Sequence, residues 1–479
     1  MMPRGRAVWP AALGALALAA AGGLVLWRSA LAGAPAEPPS ARARPPALRA
    51  DPGGPRPNVV LVSIDSLRAD HVGAYGYPRP TSPRLDRLAA EGVAFDAAWS
   101  TTTWTLPSHV SLLTSLYSEV HGVSEDGIRM TEGQTLLSEA LRGAGYRTAA
   151  FVSAPFLNRL YGFDQGFDFY DDTTIPLRRH RESHQGSTGP ALHAAIVRWL
   201  REEPAKPFFL FLHYWDVHFD YEPPPAFVAP FDPGYRGADE FRNFEKNRAI
   251  HPGMAPRDLE RLVALYDGEI AFTDHHLGLL FDELERLGLY DESLIVVTSD
   301  HGDEFFEHGA KGHMKNLFET TLRVPLLVRF PGGAAAGTRV AEPVSLVDVA
   351  PTVLDAARVP RPAAFGGESL LPVVAGEGRR RARPLFASLY GQAWTVRQGD
   401  LKLVRTEDED GAMREELYDL AADPAEARDL AAARQQEARN LSQLLARWRK
   451  LAASQRREAA RPFEKGEGLR ETLEALGYL

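Results

Sequence analysis

The stretch Asn58-Val59-Val60-Leu61-Val62-Ser63-Ile64-Asp65 decides the fold of this 479-residue chain. It is a short run of apolar, mostly β-branched residues that ends in a carboxylate, and polar residues follow it. A continuous apolar run of this length is typical of a strand that is buried on both faces of a parallel sheet. Ligands of such sheets bind beyond the carboxyl ends of the strands, so Asp65 lies at a candidate functional edge.

Similar apolar runs recur along the chain, and helical patterns separate them. The runs are Thr148–Ser153, Pro207–Leu212, Ser293–Thr298 and Val324–Phe330, and the helical patterns are Leu85–Glu91, Leu136–Ala144, Leu259–Leu287 and Leu346–Ala357. This alternation predicts an α/β fold, with a large, mainly parallel sheet sandwiched by helices, over residues 58–380. Beyond it, short strand-like runs and a charged helical stretch predict a small C-terminal α+β subdomain with an antiparallel sheet, residues 381–479.

The composition excludes several classes of protein. The chain contains no cysteine, which excludes a disulfide scaffold, a cysteine-ligated metal site and a catalytic thiolate. Its net charge is −9, and residues 1–57 hold seven arginines against two acidic residues, so the rest of the chain carries −14. Nucleic-acid-binding proteins need the opposite sign, and we therefore expect no nucleic acid partner.

The first residues carry the pattern of a targeting segment. Arg4 and Arg6 precede an uncharged, apolar run, residues 7–27, which is long enough to span a bilayer as a helix. We therefore predict a membrane anchor over residues 1–28, a Pro/Ala/Arg-rich linker over residues 29–57, and a catalytic domain outside the cytoplasm, in the cell envelope. A cleaved signal peptide is the alternative, because Ala32-Gly33-Ala34 resembles a cleavage site.

A polar cluster at Thr103–Leu113 surrounds the predicted start of a helix. Pro107 suits the first turn, which places Thr105 close to the helix N-terminus, where free backbone N–H groups favour anions. A hydroxyl there can serve as metal ligand and as nucleophile. The alternative is that Thr105 or Ser108 is an ordinary helix cap.

A second cluster, Ser299–His313, follows a predicted strand and contains three histidines and four carboxylates. Asp300 and His301 can supply one oxygen and one nitrogen ligand to a divalent metal, while a charged surface loop is the alternative. His213-Tyr214-Trp215-Asp216-Val217-His218 forms a further candidate, again directly after an apolar strand.

Taken together and in this order, these segments resemble the sulfatase family of the alkaline-phosphatase superfamily. The resemblance includes the opening strand, His121-Gly122 after the nucleophile helix, Ser299-Asp300-His301-Gly302, Arg323-Val324-Pro325-Leu326 and Glu416-Leu417-Tyr418-Asp419-Leu420. It implies an alkaline-phosphatase-like fold, with Asp65, Thr105, Asp300 and His301 as metal ligands and Thr105 also as the nucleophile. It further implies that His218, His313 and Lys311 bind the substrate.

Three departures from the family pattern qualify this resemblance. Sulfatases oxidise a Cys or Ser to formylglycine within Cys/Ser-x-Pro-x-Arg, whereas this chain has Thr105-Leu106-Pro107-Ser108-His109. Ser66 replaces the second aspartate of the usual metal-binding pair, which favours Mn²⁺ or Zn²⁺ over Ca²⁺. The Lys-x-His segment that sulfatases direct at sulfate is also absent. An unmodified threonine instead resembles the phosphodiesterases and the phosphoethanolamine and lipoteichoic-acid-type transferases of the superfamily.

The resulting expectation is an exported, metal-dependent hydrolase that cleaves a phosphoester, preferably a phosphodiester, through a covalent intermediate on Thr105. A sulfatase and a phosphoethanolamine- or phosphoglycerol-type transferase are the alternatives, and an exported binding module is the non-enzymatic one. We expect one divalent metal ion and a small-molecule, lipid or glycan ester as substrate. A second metal, held by His218, His313 and Asp216, stays open.

Overall fold

A central eight-stranded sheet organises the molecule. In this computed structural model the described residues are 48, 54–175, 188–202, 206–237, 241–377, 383–408, 410–456 and 460–476. The strands of the sheet are β1 (Asn58–Ile64), β2 (Val93–Phe95), β3 (Arg147–Phe151), β4 (Phe169–Asp171), β5 (Phe208–Tyr214), β6 (Ser293–Ser299), β7 (Leu326–Arg329) and β8 (Thr338–Val340). Their order is β8-β2-β7-β6-β1-β5-β3-β4, and β7 alone runs antiparallel to its neighbours.

Strand β1 lies in the middle of this sheet because every one of its residues is apolar or hydrogen-bonded and can be buried on both faces. It pairs in parallel with β5 on one side and β6 on the other. Ile64 lies opposite Tyr214 on β5 and opposite Ser299 on β6, so the three strands end side by side. The residues that follow these strands are therefore brought together at one edge.

Helices cover both faces of the sheet, as the alternating pattern predicted. The longer helices are α1 (Pro83–Glu91), α2 (Thr105–Thr114), α3 (Leu137–Gly143), α4 (Gly189–Glu202), α5 (Pro256–Arg286), α6 (Val349–Ala356), α7 (Gln435–Gln455) and α8 (Glu467–Leu476), and all but α7 pack against the central sheet. Apolar residues of α2, α3, α6 and α8 share one core with one face of β1, and those of α1, α4 and α5 share a second core with the other face. The predicted α/β sandwich is confirmed.

The C-terminal part forms its own antiparallel sheet. Its strands are β9 (Leu385–Leu389), β10 (Ala393–Gln398), β11 (Leu401–Glu407) and β12 (Met413–Asp419), paired in sequence order. Helix α7 packs on this sheet, and the two share the apolar cluster that contains Trp394, Leu417 and Leu445. This confirms the predicted subdomain, while the domain boundary near residue 380 falls in residues 378–382, outside the described ranges, and stays a prediction.

One predicted strand is corrected in detail. The run Val324–Phe330 is two strands, Arg323–Val324 and β7, interrupted at Pro325. Proline has no N–H to donate to a strand ladder, which explains the break. The second piece runs antiparallel in an otherwise parallel sheet.

The predicted membrane anchor also requires a correction. Within the ranges given above, no helix is both long and apolar enough to cross a bilayer. Residues 7–27, on which the prediction rested, lie outside the described residues. Membrane attachment through an N-terminal helix is therefore not supported.

Candidate active site

The carboxyl ends of the three central strands place four predicted site residues together. Asp65 directly follows β1, Asp300 and His301 directly follow β6, and Thr105 is the first residue of α2. All four side chains are fully buried. Helix α2 packs on the face of the sheet toward which residues 59, 61 and 63 of β1 point, and this packing brings Thr105 to the strand ends.

The Asp300 carboxylate is oriented by the backbone. Its Oδ1 accepts the N–H groups of Ser66 at 3.1 Å and of His301 at 2.9 Å. Its Oδ2 has no hydrogen-bond partner among the described residues and lies 3.4 Å from His301 Nε2. A buried carboxylate oxygen without a donor has a lone pair available for a cation.

The two oxygens of Asp65 have different neighbours. Its Oδ1 accepts the Ser66 hydroxyl at 2.9 Å, because the turn after β1 puts Ser66 in the left-handed region, φ 56°. Its Oδ2 lies 3.5 Å from the Thr105 hydroxyl and 3.4 Å from His213 Nε2. Ser66, which replaces an aspartate of the family pattern, thus fixes Asp65 in place.

The Thr105 hydroxyl lies beside Asp65 and His301. Its Oγ1 lies 3.2 Å from His301 Nε2 as well as 3.5 Å from Asp65 Oδ2. The N-cap of α2 is Trp104, which makes no side-chain cap, and the Ser108 hydroxyl donates to the Asp300 backbone carbonyl at 2.8 Å. The geometry therefore favours a site role for Thr105 over the alternative of an ordinary cap.

The electrostatics of this cluster call for a cation. Burial and the adjacent Asp300 charge raise the pKa of Asp65 well above its usual value. Burial works against charge on Asp300 as well, yet His301 and His109 lower its pKa overall. Burial likewise disfavours the charged form of His301, but Asp300 and Asp65 raise its pKa overall. Two buried carboxylates at this spacing repel each other unless a positive charge lies between them.

The cluster fits a divalent metal ion. One ligand atom each from Asp65, Asp300 and His301 lies within 4.8 Å of the others, and Thr105 Oγ1 adjoins them. Asp300 Oδ2 also supports a metal site, because it has no hydrogen-bond partner among the described residues and a bound metal would satisfy it. Mixed nitrogen and oxygen donors suit Mn²⁺ or Zn²⁺ better than Ca²⁺, which prefers oxygen ligands alone.

His313 and His218 lie beside this cluster, as predicted. The His313 ring lies 4.3 Å from the His301 ring and 5.1 Å from the His218 ring, measured between ring centroids. Burial lowers the pKa of His218 and of His313 well below the usual value, so both are neutral. Asp303 Oδ1 lies 2.6 Å from His313 Nδ1, and the Tyr221 hydroxyl donates to Asp303 Oδ2 at 2.6 Å.

The structure does not bring the other two predicted groups to the cluster. Asp216, the carboxylate considered for a second metal, accepts the N–H of Thr188 at 2.5 Å, and Asp303 takes its place beside His313. The Lys311 ammonium donates to the backbone carbonyls of Phe244 (2.6 Å), Asn247 (3.0 Å) and Ile250 (3.0 Å). The predicted contact of Lys311 with substrate stays a prediction. The observed hydrogen bonds indicate that Lys311 stabilises the loop of residues 244–250.

Three residues of the site were given no role of their own from the sequence. Asp303 orients His313, His213 lies against Asp65, and His109 replaces the arginine of the family pattern. His109 Nδ1 lies 2.8 Å from the Thr105 carbonyl and its Nε2 lies 2.9 Å from the Ser63 hydroxyl, so the protein satisfies both nitrogens. Position at a strand end indicated His213, but no local pattern distinguishes its role from that of His109.

A cluster of this composition can hold a metal against a hydroxyl nucleophile at the start of a helix. Backbone N–H groups of the first turn of α2 and the neutral imidazoles of His218 and His313 lie around it. Such groups stabilise the negative charge of a tetrahedral oxyanion. The arrangement is therefore suited to transfer of an anionic group from an ester.

Comparison with known proteins agrees with this arrangement. The family described as Sulfatase matches residues 57–359, and N-sulphoglucosamine sulphohydrolase, C-terminal, matches residues 307–454. An N-acetylglucosamine-6-O-sulfatase of Bacteroides thetaiotaomicron is 24% identical over 460 residues, covering 78% of this chain and 82% of that protein. The multifunctional alkaline phosphatase superfamily protein PehA of Trinickia caryophylli is 27% identical over 475 residues, covering 78% and 91% respectively.

The fold comparison extends over most of the chain. The crystal structure of the phosphonate monoester hydrolase of Agrobacterium radiobacter superposes with a TM-score of 0.68 and 22% identity, covering 86% of this chain and all of that one. The alkaline-phosphatase-like fold is thereby confirmed. The predicted threonine-nucleophile branch and the phosphodiester preference find no support among these relatives. The match over residues 57–359 shows that this chain belongs to the sulfatase family.

Proposed function

We propose that this chain is a metal-dependent ester hydrolase, with a sulfuric ester as the first candidate substrate. The anionic group of the ester (sulfuryl or phosphoryl) is transferred first to Thr105 and then to water. The position of the Thr105 hydroxyl carries the proposal. It lies at the first residue of α2, 3.2 Å from His301 Nε2 and 3.5 Å from Asp65 Oδ2. A hydroxyl that served only packing would not need to face two metal-ligating groups.

The chain's own residues account for the main requirements of the reaction. Asp65, Asp300 and His301 hold the metal, which when bound supplies Lewis-acid stabilisation of a nearby oxygen. Thr105 Oγ1 attacks the central atom of the oxyanion, which forms one bond and breaks the ester bond to the leaving alcohol. Water then cleaves the bond to Thr105, releases the inorganic anion and restores the hydroxyl.

The surrounding histidines and helix N-terminus bind the transferred group. His218 and His313 are buried beside the cluster, and each directs Nδ1 at a protein oxygen, the Phe219 carbonyl for His218 and Asp303 Oδ1 for His313. A ring that takes up a second proton would donate to the transferred oxyanion. Asp303 Oδ1, 2.6 Å from His313 Nδ1, fixes the orientation of the His313 ring. The first-turn N–H groups of α2 add the partial positive charge of a helix N-terminus.

The relatives support a sulfuric ester as the first candidate. The Bacteroides thetaiotaomicron relative is an N-acetylglucosamine-6-O-sulfatase, and an arylsulfatase of Clostridium perfringens is 24% identical over 383 residues. We infer by similarity that the substrate here belongs to the same ester class. This inference replaces the expectation of a phosphodiester as the preferred substrate.

The residue at position 105 favours a second candidate, a phosphoric or phosphonic ester. Threonine cannot be converted into the formylglycine that sulfatases form from Cys or Ser. His109 stands where that pattern has arginine, and its nitrogens contact Thr105 and Ser63 of the protein. An unmodified hydroxyl that forms a phosphothreonine is chemically suited to phosphoryl transfer.

A substrate panel tests the proposal and separates the two candidates. The full-length chain, loaded with Zn²⁺ or Mn²⁺, is assayed against an aryl sulfate, a phosphonate monoester and a phosphodiester. Thr105→Ala should lower turnover by on the order of 10⁶, as removal of a nucleophile does, while Thr105→Ser should keep a measurable part. Rapid quenching and mass spectrometry should find the transferred group on Thr105.

Thr114→Ala is the matched control, because it makes the same change at the other end of α2. The Thr114 hydroxyl only donates to the Val110 carbonyl, at 2.6 Å, so turnover should change less than about threefold. If Thr105→Ala turns over substrate within tenfold of the parent, the covalent mechanism is wrong. If the loaded parent turns over no ester but binds one, the alternative of a binding module holds.

A further inference from the structure

We propose that His213 is a further ligand of the metal centre, bound through Nε2, in addition to the four residues that the sequence predicted. The inference rests on the proposed function only in placing a divalent metal between Asp65 and Asp300. It concerns one imidazole that the resemblance to the family did not assign.

The sheet positions His213 on the correct side of the strand ends. His213 lies opposite Ser63 in the β1–β5 pairing, and paired residues of parallel strands point to the same face. Side chains alternate along a strand, so Ser63 and Asp65 also share that face. The Ser153 hydroxyl donates to the His213 carbonyl at 2.8 Å, which fixes the backbone at this point.

The His213 ring is buried without hydrogen bonds. Its side chain is 0% exposed, and neither Nδ1 nor Nε2 has a hydrogen-bond partner among the described residues. Buried polar atoms in native proteins almost always have a partner, so an imidazole with two unpartnered nitrogens requires an explanation. A bound metal supplies one, because it would accept the Nε2 lone pair.

His109 provides the contrast within the same cluster. The two rings lie 5.0 Å apart, and both are fully buried. Both nitrogens of His109 contact protein oxygens, at 2.8 Å and 2.9 Å, whereas the nearest charged oxygen to His213 Nε2 is Asp65 Oδ2 at 3.4 Å. Hydrogen bonding therefore occupies His109 and leaves His213 available as a ligand.

His213 lies near both carboxylates of the centre. One ligand atom each of His109, His213 and Asp300 lies within 4.8 Å of the others, and His213 Nε2 lies 3.4 Å from Asp65 Oδ2. Neighbouring donors are separated by 3.4 Å (His213 Nε2 to Asp65 Oδ2), 3.4 Å (His301 Nε2 to Asp300 Oδ2) and 3.2 Å (His301 Nε2 to Thr105 Oγ1). Zinc binds nitrogen and oxygen at about 2.0–2.1 Å, so neighbouring donors in a five-coordinate shell are about 2.9–3.6 Å apart. The three separations fall in this range, and the two of 3.4 Å are longer than ordinary hydrogen bonds.

Two imidazoles and two carboxylates define the class of metal. Nitrogen donors favour Zn²⁺ and other transition metals over Ca²⁺, whose sites are built from oxygen. With His213 included, the centre would contain two histidine nitrogens instead of one. The number of imidazoles on the metal is therefore the quantity to measure.

X-ray absorption spectroscopy of the full-length chain loaded with Zn²⁺ measures that number without any substrate. We expect two coordinated imidazoles in the parent and one in His213→Ala, with Zn²⁺ bound at least tenfold more weakly in chelator competition. His109→Asn serves as the matched variant, and it should keep both imidazoles. The parent spectrum alone suffices to decide the count should His213→Ala fail to fold.

Each outcome is decisive. A parent with one imidazole overturns the proposal, and His213 is then a residue that positions Asp65 through a long Nε2–H contact. Two imidazoles that persist in His213→Ala overturn it as well and point to another histidine. An active, one-imidazole parent would leave the proposed function intact, whereas failure of the chain to bind Zn²⁺ or Mn²⁺ at all would contradict both.

Discussion

Two buried histidines near the two ends of α2 differ in their hydrogen bonding. His121, beyond the C-terminal end of α2, accepts the N–H of Val123 at 3.1 Å and lies 3.1 Å from the Ser111 hydroxyl. His213, near the N-terminal end, is equally buried and has no hydrogen-bond partner among the described residues. Burial alone therefore does not identify a functional histidine. Unmade hydrogen bonds beside two buried carboxylates are what favour the proposed ligand role of His213.

The same distinction applies to the carboxylates. Asp348 is fully buried and accepts N–H groups of Ser345 at 3.2 Å and Glu368 at 2.9 Å with its two oxygens. Asp300 uses only Oδ1 in this way and leaves Oδ2 unpartnered. Variants of Asp300, His121 and Lys311 test this difference between buried groups with and without hydrogen-bond partners.

Asp300→Asn should have the largest effect on the metal centre. The amide oxygen can still accept the N–H groups of Ser66 and His301, but the charge that faces the metal is lost. We expect loss of most bound Zn²⁺ and a fall in turnover of about 10³-fold or more, because a metal contributes several kcal/mol to transition-state stabilisation. Metal analysis and steady-state kinetics measure both quantities.

Asp348→Asn is the control for this change. It alters a carboxylate of equal burial whose oxygens are already used, so metal content should stay at the parent level. Without metal, Asp300→Asn should unfold more easily in urea than the parent, because His301 and His109 favour the ionised form of Asp300 in the folded protein. Full metal content in Asp300→Asn would remove Asp300 from the ligand set.

His121→Asn tests the buried histidine whose two nitrogens both have hydrogen-bond partners. Burial lowers the pKa of His121 to about 3, so the unfolded chain binds a proton below about pH 6.5 that the folded chain does not. The free energy of unfolding should therefore fall as pH decreases through this window, by about 1.4 kcal/mol per pH unit at most. His121→Asn should remove this contribution while keeping an acceptor for the Val123 N–H.

Urea unfolding of parent and variant between pH 7.5 and pH 5, with chelator present, measures the effect. The difference between the two curves isolates His121 from the other histidines, which titrate in both proteins. At pH 7.5 the variant should be less stable by about 1–2 kcal/mol, because ring contacts are lost. Parallel pH dependences in the two proteins would show that His121 is not buried in its neutral form.

Lys311→Met should have the smallest effect on turnover. Its ammonium is hydrogen-bonded to three backbone carbonyls, so it belongs with the satisfied groups rather than with the unsatisfied ones. We expect kcat/KM to change less than about tenfold, and hydrogen exchange of residues 244–250 to increase, because local opening becomes easier. Lys315→Met is the control, since Lys315 is half-exposed and pairs with Glu245.

A rise in KM above about a hundredfold in Lys311→Met, without faster exchange, would restore the substrate-binding role that the family resemblance implied. Exchange measured by mass spectrometry separates the two roles. A structural lysine changes the loop, whereas a substrate-binding lysine changes affinity.

The sequence by itself determined the α/β sandwich, the C-terminal sheet and the convergence of Asp65, Thr105, Asp300 and His301. The folds of the two sheets and the meeting of Asp65, Asp300 and His301 follow from local information, because apolar runs end at Asp65 and Asp300 and neighbouring parallel strands bring the residues after them together. The family resemblance added Thr105. Tertiary structure decided the rest. It split Val324–Phe330 at Pro325, paired His313 with Asp303 instead of Asp216, and directed Lys311 to a loop.

Tertiary structure also separated His213 from His109, which the sequence could not do. Both are histidines in apolar surroundings, but the Ser63 hydroxyl, 46 positions away in sequence, bonds His109, and no such group among the described residues reaches His213. A hydrogen bond depends on atoms that packing brings within about 3 Å, and residue spacing along the chain does not encode that distance. The spacing of residues thus determined which strand ends meet, and packing determined which of their polar atoms remain free for chemistry.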